Sequence, residues 1–81
     1  MVNVEMFKAW LKSNTTYSEA VISDTISRVK RADKILEWND EETYFFYLEQ
    51  QEQYKGLSVS VRSQIKKSVM LYRSFRTEQS E

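Results

Sequence analysis

Apolar residues recur at helical spacing in four stretches of the chain, and this pattern predicts an all-α protein. The predicted helices cover about residues 4–12, 18–38, 40–54 and 58–76. The stripe of the second helix comprises Val21, Ile22, Ile26, Val29, Ala32 and Leu36, and that of the fourth comprises Val61, Ile65, Tyr72 and Phe75. Four such helices in 81 residues predict a single all-helical domain over residues 1–81.

Capping residues mark the boundaries of these helices. Ser18, Asp40 and Ser58 each precede a helical stretch and are expected to act as N-caps. Gly56, the single glycine, stands where a left-handed C-cap is expected after the third helix. The absence of proline agrees with an all-helical chain.

The composition excludes several kinds of catalytic and metal-binding chemistry. The chain has no cysteine and no histidine, which removes thiolate chemistry, the usual general base and the imidazole ligand of metals. We therefore expect that the chain is not an enzyme and that it holds neither a cofactor nor a metal. The glutamates of the third helix are expected to act as helix-capping and solvated groups. Without a signal peptide or a long apolar run, the expected location is the cytoplasm. Plentiful Tyr and Phe predict an aromatic core, with Trp38 as its lid.

The charges are separated along the chain although they sum to zero. Residues 37–54, the acidic segment, hold six acids and no cation, whereas residues 55–77 hold six cations and no acid. At 100° per residue, Lys66, Arg73 and Arg76 lie at about 40°, 20° and −40° from Arg62. The predicted fourth helix thus carries four aligned cations, the basic ridge, away from its apolar stripe.

This ridge has two interpretations, and the charge pattern alone does not choose between them. In the first, it is a solvated face whose cations pair with the acids of the third helix, each pair contributing only about 0–1 kcal/mol. In the second, it binds phosphates, because a helix with aligned cations fits the major groove of DNA. Ser60, near the start of this helix, and the cations of the second helix would then add further contacts.

Three stretches resemble a known family. MFKAWL, SEAVISDTISRVKRADKIL and GLSVSVRSQIKKSVMLYRSF are similar to the helices of the N-terminal core-binding (SAM-like) domain of phage integrases and other tyrosine recombinases. The last stretch matches the family pattern at Gly56, Leu57, Ser58, Val61, Ile65, Tyr72 and Phe75. The resemblance implies a compact four-helix bundle that forms a clamp around double-stranded DNA together with a catalytic domain. Its second and fourth helices would face the duplex, in DNA integration and recombination by mobile elements.

Carried over to this chain, the resemblance implies a set of DNA contacts on those two helices. They are Arg28, Lys30, Arg31, Lys34, Ser60, Arg62, Lys66, Lys67 and Arg73. Recombinase catalysis belongs to a separate domain with a tyrosine nucleophile, arginines and histidines. This chain lacks histidine and room for that domain, so the resemblance implies a non-catalytic module, either part of an integrase or a free-standing relative.

A second hypothesis belongs to another functional class. The chain would be a small regulatory protein-interaction module, encoded by a phage or mobile element, that reuses the same bundle. It would bind a protein partner, or a second copy of itself, through the aromatic and acidic third helix, or it would mimic DNA with its six acids. Tyr44 and Tyr47 are the candidate contacts, because exposed aromatic residues mark interaction surfaces.

Overall fold

A computed structural model describes residues 2–79, and every regular element among them is an α-helix. The all-α prediction is therefore confirmed for this part of the chain. Five helices replace the four expected, because the predicted third helix is divided into two short ones. The helices are α1 (Val4–Asn14), α2 (Glu19–Ile35), α3 (Tyr44–Glu49), α4 (Glu52–Lys55) and α5 (Val59–Gln79).

The first two helices begin at side-chain caps. The Asn3 side chain accepts a hydrogen bond from the Met6 backbone N–H at 3.2 Å, and α1 follows. Ser18 accepts from the Val21 N–H at 3.3 Å, which confirms the predicted N-cap of α2. The backbone N–H of Asn3 also donates to the Tyr72 hydroxyl at 2.8 Å, so the start of α1 is fixed to α5.

The second helix ends three residues before the predicted boundary at Trp38. Leu36 has extended backbone angles (φ −145°, ψ 116°), and the Trp38 N–H donates to the Asp33 carboxylate at 2.8 Å. This side-chain contact replaces the helical hydrogen bond and turns the chain toward α3. The Trp38 indole remains half-buried and packs against the core, in agreement with its predicted role as a lid.

The predicted third helix begins later than expected and is interrupted. Thr43, not Asp40, is the residue before α3, so the prediction that Asp40 caps this helix is wrong. Gln51 has extended angles (φ −74°, ψ 136°) and separates α3 from α4. The interruption turns Tyr54 inward, where its hydroxyl donates to the Arg62 carbonyl at 3.0 Å.

Gly56 does not adopt the left-handed conformation expected of it. Its angles are φ −75° and ψ −10°, in the right-handed helical region, so that prediction is wrong. The chain reaches α5 through a continued right-handed turn in which the Gly56 N–H donates to the Glu52 carbonyl at 3.0 Å. Ser58 then accepts from the Val61 N–H at 3.3 Å, which confirms it as the cap of α5.

The core consists of two clusters of buried side chains along α5. One lies between α1, α2 and the second half of α5; the other lies between the end of α2, α3, α4 and the first half of α5. Trp38 packs against both, with ring centroids 4.7 Å from Tyr44 and 4.8 Å from Tyr72. The aromatic core expected from the composition is confirmed. The buried apolar residues are Phe7, Leu11, Ile22, Val29, Ala32, Tyr44, Phe45, Leu48, Tyr54, Ile65, Val69, Tyr72 and Phe75.

Candidate nucleic-acid interface

The flank of α5 that carries the basic ridge faces the protein. Val69 lies at about −20° on the same helical wheel, inside the arc of the four cations. Only 1% of Val69 is exposed, because it packs in the cluster formed with α3 and α4. The acidic segment packs against this arc and leaves Arg62, Arg73 and Arg76 half-exposed, whereas Lys66 is exposed. The prediction that the whole ridge faces solvent is therefore wrong for its three arginines.

At one end of the ridge, Arg76 is bound by the acidic segment. Its Nε and Nη2 donate to the two carboxylate oxygens of Asp40, both at 2.9 Å. The Trp38 indole N–H donates to the same carboxylate at 3.0 Å. The hydrogen bond from Arg76 is the main cause of a lowered pKa at the Asp40 carboxyl, and it raises the pKa of the guanidinium in turn. Asp40 thus stabilises the connector between α2 and α3 instead of capping α3.

The other three cations of the ridge also meet this segment. Arg73 donates through Nη1 to the Glu42 backbone carbonyl at 3.0 Å. The Lys66 ammonium lies 5.5 Å from the centre of the Phe45 ring, a cation–π geometry. The Nε of Arg62 is buried and has no hydrogen-bond partner in the described part of the chain. Within residues 2–79, Arg76 pairs with an acid as the first interpretation expects, whereas Arg62, Lys66 and Arg73 form no ion pair and the flank is partly covered instead of fully solvated.

A second group of cations lies along the groove between α2 and α5. Arg28 from α2 and Lys67 from α5 both line this α2–α5 groove, with Gln64 beside them. Its remaining lining residues are Tyr17, Val21, Thr25, Ser68 and Leu71. Arg31 is exposed and follows Arg28 by about 60° around α2, toward solvent. Within residues 2–79, neither Arg28, Arg31 nor Lys67 forms an ion pair.

The remaining predicted contacts are distributed around the bundle. Lys30 lines a different groove, between α1 and α2, beside Lys8 and Lys12. Lys34 is exposed on α2, and Ser60 is exposed in the first turn of α5. The nine predicted contacts consequently do not share one surface. The structure places Arg28 and Lys67 in one groove, with Arg31 one helical turn from Arg28. Arg62 and Arg73 lie half-exposed on the ridge flank, and Lys66 lies exposed on the same flank.

The two tyrosines proposed as partner contacts have opposite environments. Tyr44 is 2% exposed and its hydroxyl donates to the Leu36 carbonyl at 2.6 Å, so its assignment to a partner surface is wrong. Burial raises the pKa of the Tyr44 hydroxyl. Tyr47 is 54% exposed, and Phe46, which sequence reasoning missed, is 58% exposed. The helical spacing indicates this exposure of Phe46, because Tyr44, Phe45 and Leu48 lie on one side of a helix and Phe46 lies on the opposite side.

Other kinds of site find no support among the described residues. No group of three or more Asp, Glu, His or Cys side chains in residues 2–79 has an arrangement that would hold a metal ion. No helix in this range combines the length and the apolar character needed to cross a bilayer.

Comparison of the chain with protein-family models, curated proteins and solved structures finds no significant match.

Proposed function

We propose that the protein is a non-catalytic DNA-binding module that applies its α2–α5 groove to the backbone of a duplex. The observation that supports this most directly is the position of Arg28 and Lys67, which come from different helices and line one groove. Neither is engaged by a carboxylate of residues 2–79. The bundle would then be of the core-binding type that the sequence resembles, with its α2 and α5 facing DNA.

The distribution of acidic residues also favours the α2–α5 groove as the DNA-binding surface. Asp40 and the Glu42 carbonyl engage arginines on the ridge flank of α5, whereas Lys67 lies about 120° from Arg73 around that helix. The acidic segment therefore contacts the ridge flank and leaves the α2–α5 groove without a glutamate in its lining. A groove lined by one sign of charge concentrates the field that attracts a polyanion.

The groove also has polar groups suited to a backbone contact. Gln64 supplies an amide and Tyr17 a phenol, both of which donate hydrogen bonds to phosphate oxygens in protein–DNA complexes. Arginine adds planar, two-point donation to a phosphate, and lysine a mobile point charge. Such contacts fix the position of a protein on DNA without reading its sequence, so we expect weak sequence preference.

The test is the salt dependence of binding to a labelled duplex. If Arg28, Arg31 and Lys67 each neutralise one phosphate, log affinity should fall against log salt with a slope of about −2.7. The triple alanine variant at these positions should lose most of that slope. Its matched control is Lys8, Lys12 and Lys55 to alanine, which removes the same charge from other surfaces.

Two results would contradict the proposal. One is a duplex affinity too weak to measure even at low salt. The other is equal weakening in the triple variant and its control, since this would mean that total charge matters and the groove does not. Circular dichroism of both variants verifies that each retains the helical content of the wild type.

A further inference from the structure

The outer side of α3 presents two adjacent aromatic side chains to solvent. Phe46 and Tyr47, the aromatic pair, have ring centroids 5.4 Å apart and planes at 78°, an edge-to-face arrangement. More than half of each residue is exposed. The opposite side of the same helix is fully used by the core, through Tyr44, Phe45 and Leu48. Neither ring of the pair is therefore required to fill the interior.

Exposed carboxylates flank the aromatic pair. Glu42 and Glu49 precede and follow it, with Glu41 and Glu52 farther along the same segment. Within residues 2–79 none of these four forms an ion pair, in contrast to Asp40, which is bound to Arg76. Glu42 also lines a groove with Arg73 and Arg76, and Glu49 lines one with Arg62 and Lys66, so the pair does not stand in a uniformly acidic surface. Exposed aromatic rings with unpaired acids before and after them in the chain favour a partner that has both apolar and cationic groups over DNA, RNA or anionic lipid.

We infer that the aromatic pair and its flanking carboxylates form a docking site for a basic amphipathic segment of another protein. The rings supply rigid contact area at low conformational cost, and aromatic residues of this kind carry much of the binding energy of interfaces. The carboxylates orient the segment and accelerate its association through long-range attraction. This site lies apart from the α2–α5 groove, so it does not depend on the proposed DNA binding.

The experiment titrates the full chain with a synthetic helical peptide built of leucine and lysine, amphipathic and strongly cationic, by calorimetry and by NMR shift mapping. A Leu/Gln peptide of the same pattern removes the charge, and a scrambled Leu/Lys peptide removes the apolar face. We expect shifts centred on α3 with the Leu/Lys peptide and at least about tenfold weaker binding with either comparison peptide.

Variants locate the site. Phe46→Ser with Tyr47→Ser should weaken peptide binding by about tenfold or more, because two aromatic anchors are lost. Glu42→Gln with Glu49→Gln should weaken it to a smaller extent and reduce its salt dependence. The matched control, Met6→Ser with Met70→Ser, replaces two apolar residues of 49% and 37% exposure elsewhere and should leave binding unchanged.

Three outcomes would overturn the inference. The first is undiminished peptide binding by the serine variant of the aromatic pair. The second is equal binding of the uncharged Leu/Gln peptide. The third is self-association of the wild-type chain in sedimentation experiments that is lost in the serine variant, since the occupant would then be a second copy of this chain.

Discussion

Replacement of Gly56 by alanine should stabilise the protein, whereas the position of this glycine after a helix would ordinarily predict the opposite. Its φ of −75° and ψ of −10° are accessible to any L-residue. A Cβ added there would lie 3.5 Å from the Glu52 carbonyl oxygen and 3.9 Å from that of Gln53, which is ordinary van der Waals contact. Alanine therefore fits without strain and restricts the unfolded chain.

The size of the effect follows from these angles. At a compatible position, Gly→Ala raises the free energy of unfolding by about 0.4–1 kcal/mol through the unfolded state. For a domain of this size, 1 kcal/mol shifts the melting temperature by about 4–8 °C, so Gly56→Ala should raise it by about 2–8 °C. A left-handed Gly56 would instead make alanine cost about 1–2 kcal/mol and lower the melting temperature.

The assay compares three proteins by thermal and urea unfolding: wild type, Gly56→Ala and Gly56→Asn. Asparagine tolerates the left-handed region better than alanine does, whereas alanine is the better residue in a right-handed turn. The structure therefore predicts that the alanine variant has a higher melting temperature than both the wild type and the asparagine variant. A lower melting temperature for the alanine variant, or asparagine ranking above alanine, would refute the right-handed conformation at Gly56.

Three further predictions concern buried hydroxyls and the Asp40–Arg76 pair. Tyr44→Phe should lower the free energy of unfolding by about 1–2 kcal/mol, because it removes the donor to the Leu36 carbonyl. Tyr47→Phe makes the same chemical change at an exposed position, so its free energy in urea unfolding should stay within about 0.5 kcal/mol of the wild type. Burial raises the pKa of three tyrosines, so the unfolded chain ionises first and stability in pH-dependent melts should fall as pH rises above about 10. These tyrosines are Tyr44, Tyr54 and Tyr72. Asp40→Asn should cost at most about 1 kcal/mol at neutral pH, since this side chain is 56% exposed. Because the folded pKa of Asp40 is lowered, its contribution is lost as pH falls below about 4, and acid unfolding of the variant should depend less on pH there.

The long helices were predictable because their apolar periodicity is sustained. Ser18 and Ser58 also fixed the starts of α2 and α5 correctly, since a side-chain cap is a local interaction that the adjacent residues decide. The region between residues 36 and 58 was not predictable in the same way. Its interruptions arise from tertiary contacts, such as the Tyr54 hydroxyl reaching the Arg62 carbonyl, which no local pattern records.

The candidate site was also predictable only in part, because some of its features arise from tertiary packing. A helical wheel treats every position away from the apolar stripe as solvent-facing, and on that basis the basic ridge projected outward. Val69 within the arc was the available sign that another segment covers this flank. The wheel could not show which segment that was, because the packing of residues 40–54 against α5 depends on a chain reversal. Arg28 and Lys67 were identified individually, but their common groove exists only after α2 packs on α5.

The separation of charges along this neutral chain becomes a separation in space. Part of the acidic segment engages the ridge flank of α5, and its other acids are exposed before and after the aromatic pair in the chain. The cations of the α2–α5 groove lie on the other flank of the same helix. A helix with its side chains is about 10–12 Å across, whereas the Debye length at physiological salt is about 8 Å. Each surface therefore presents its own charge to a partner, and the zero net charge of the whole chain does not oppose phosphate binding in the groove.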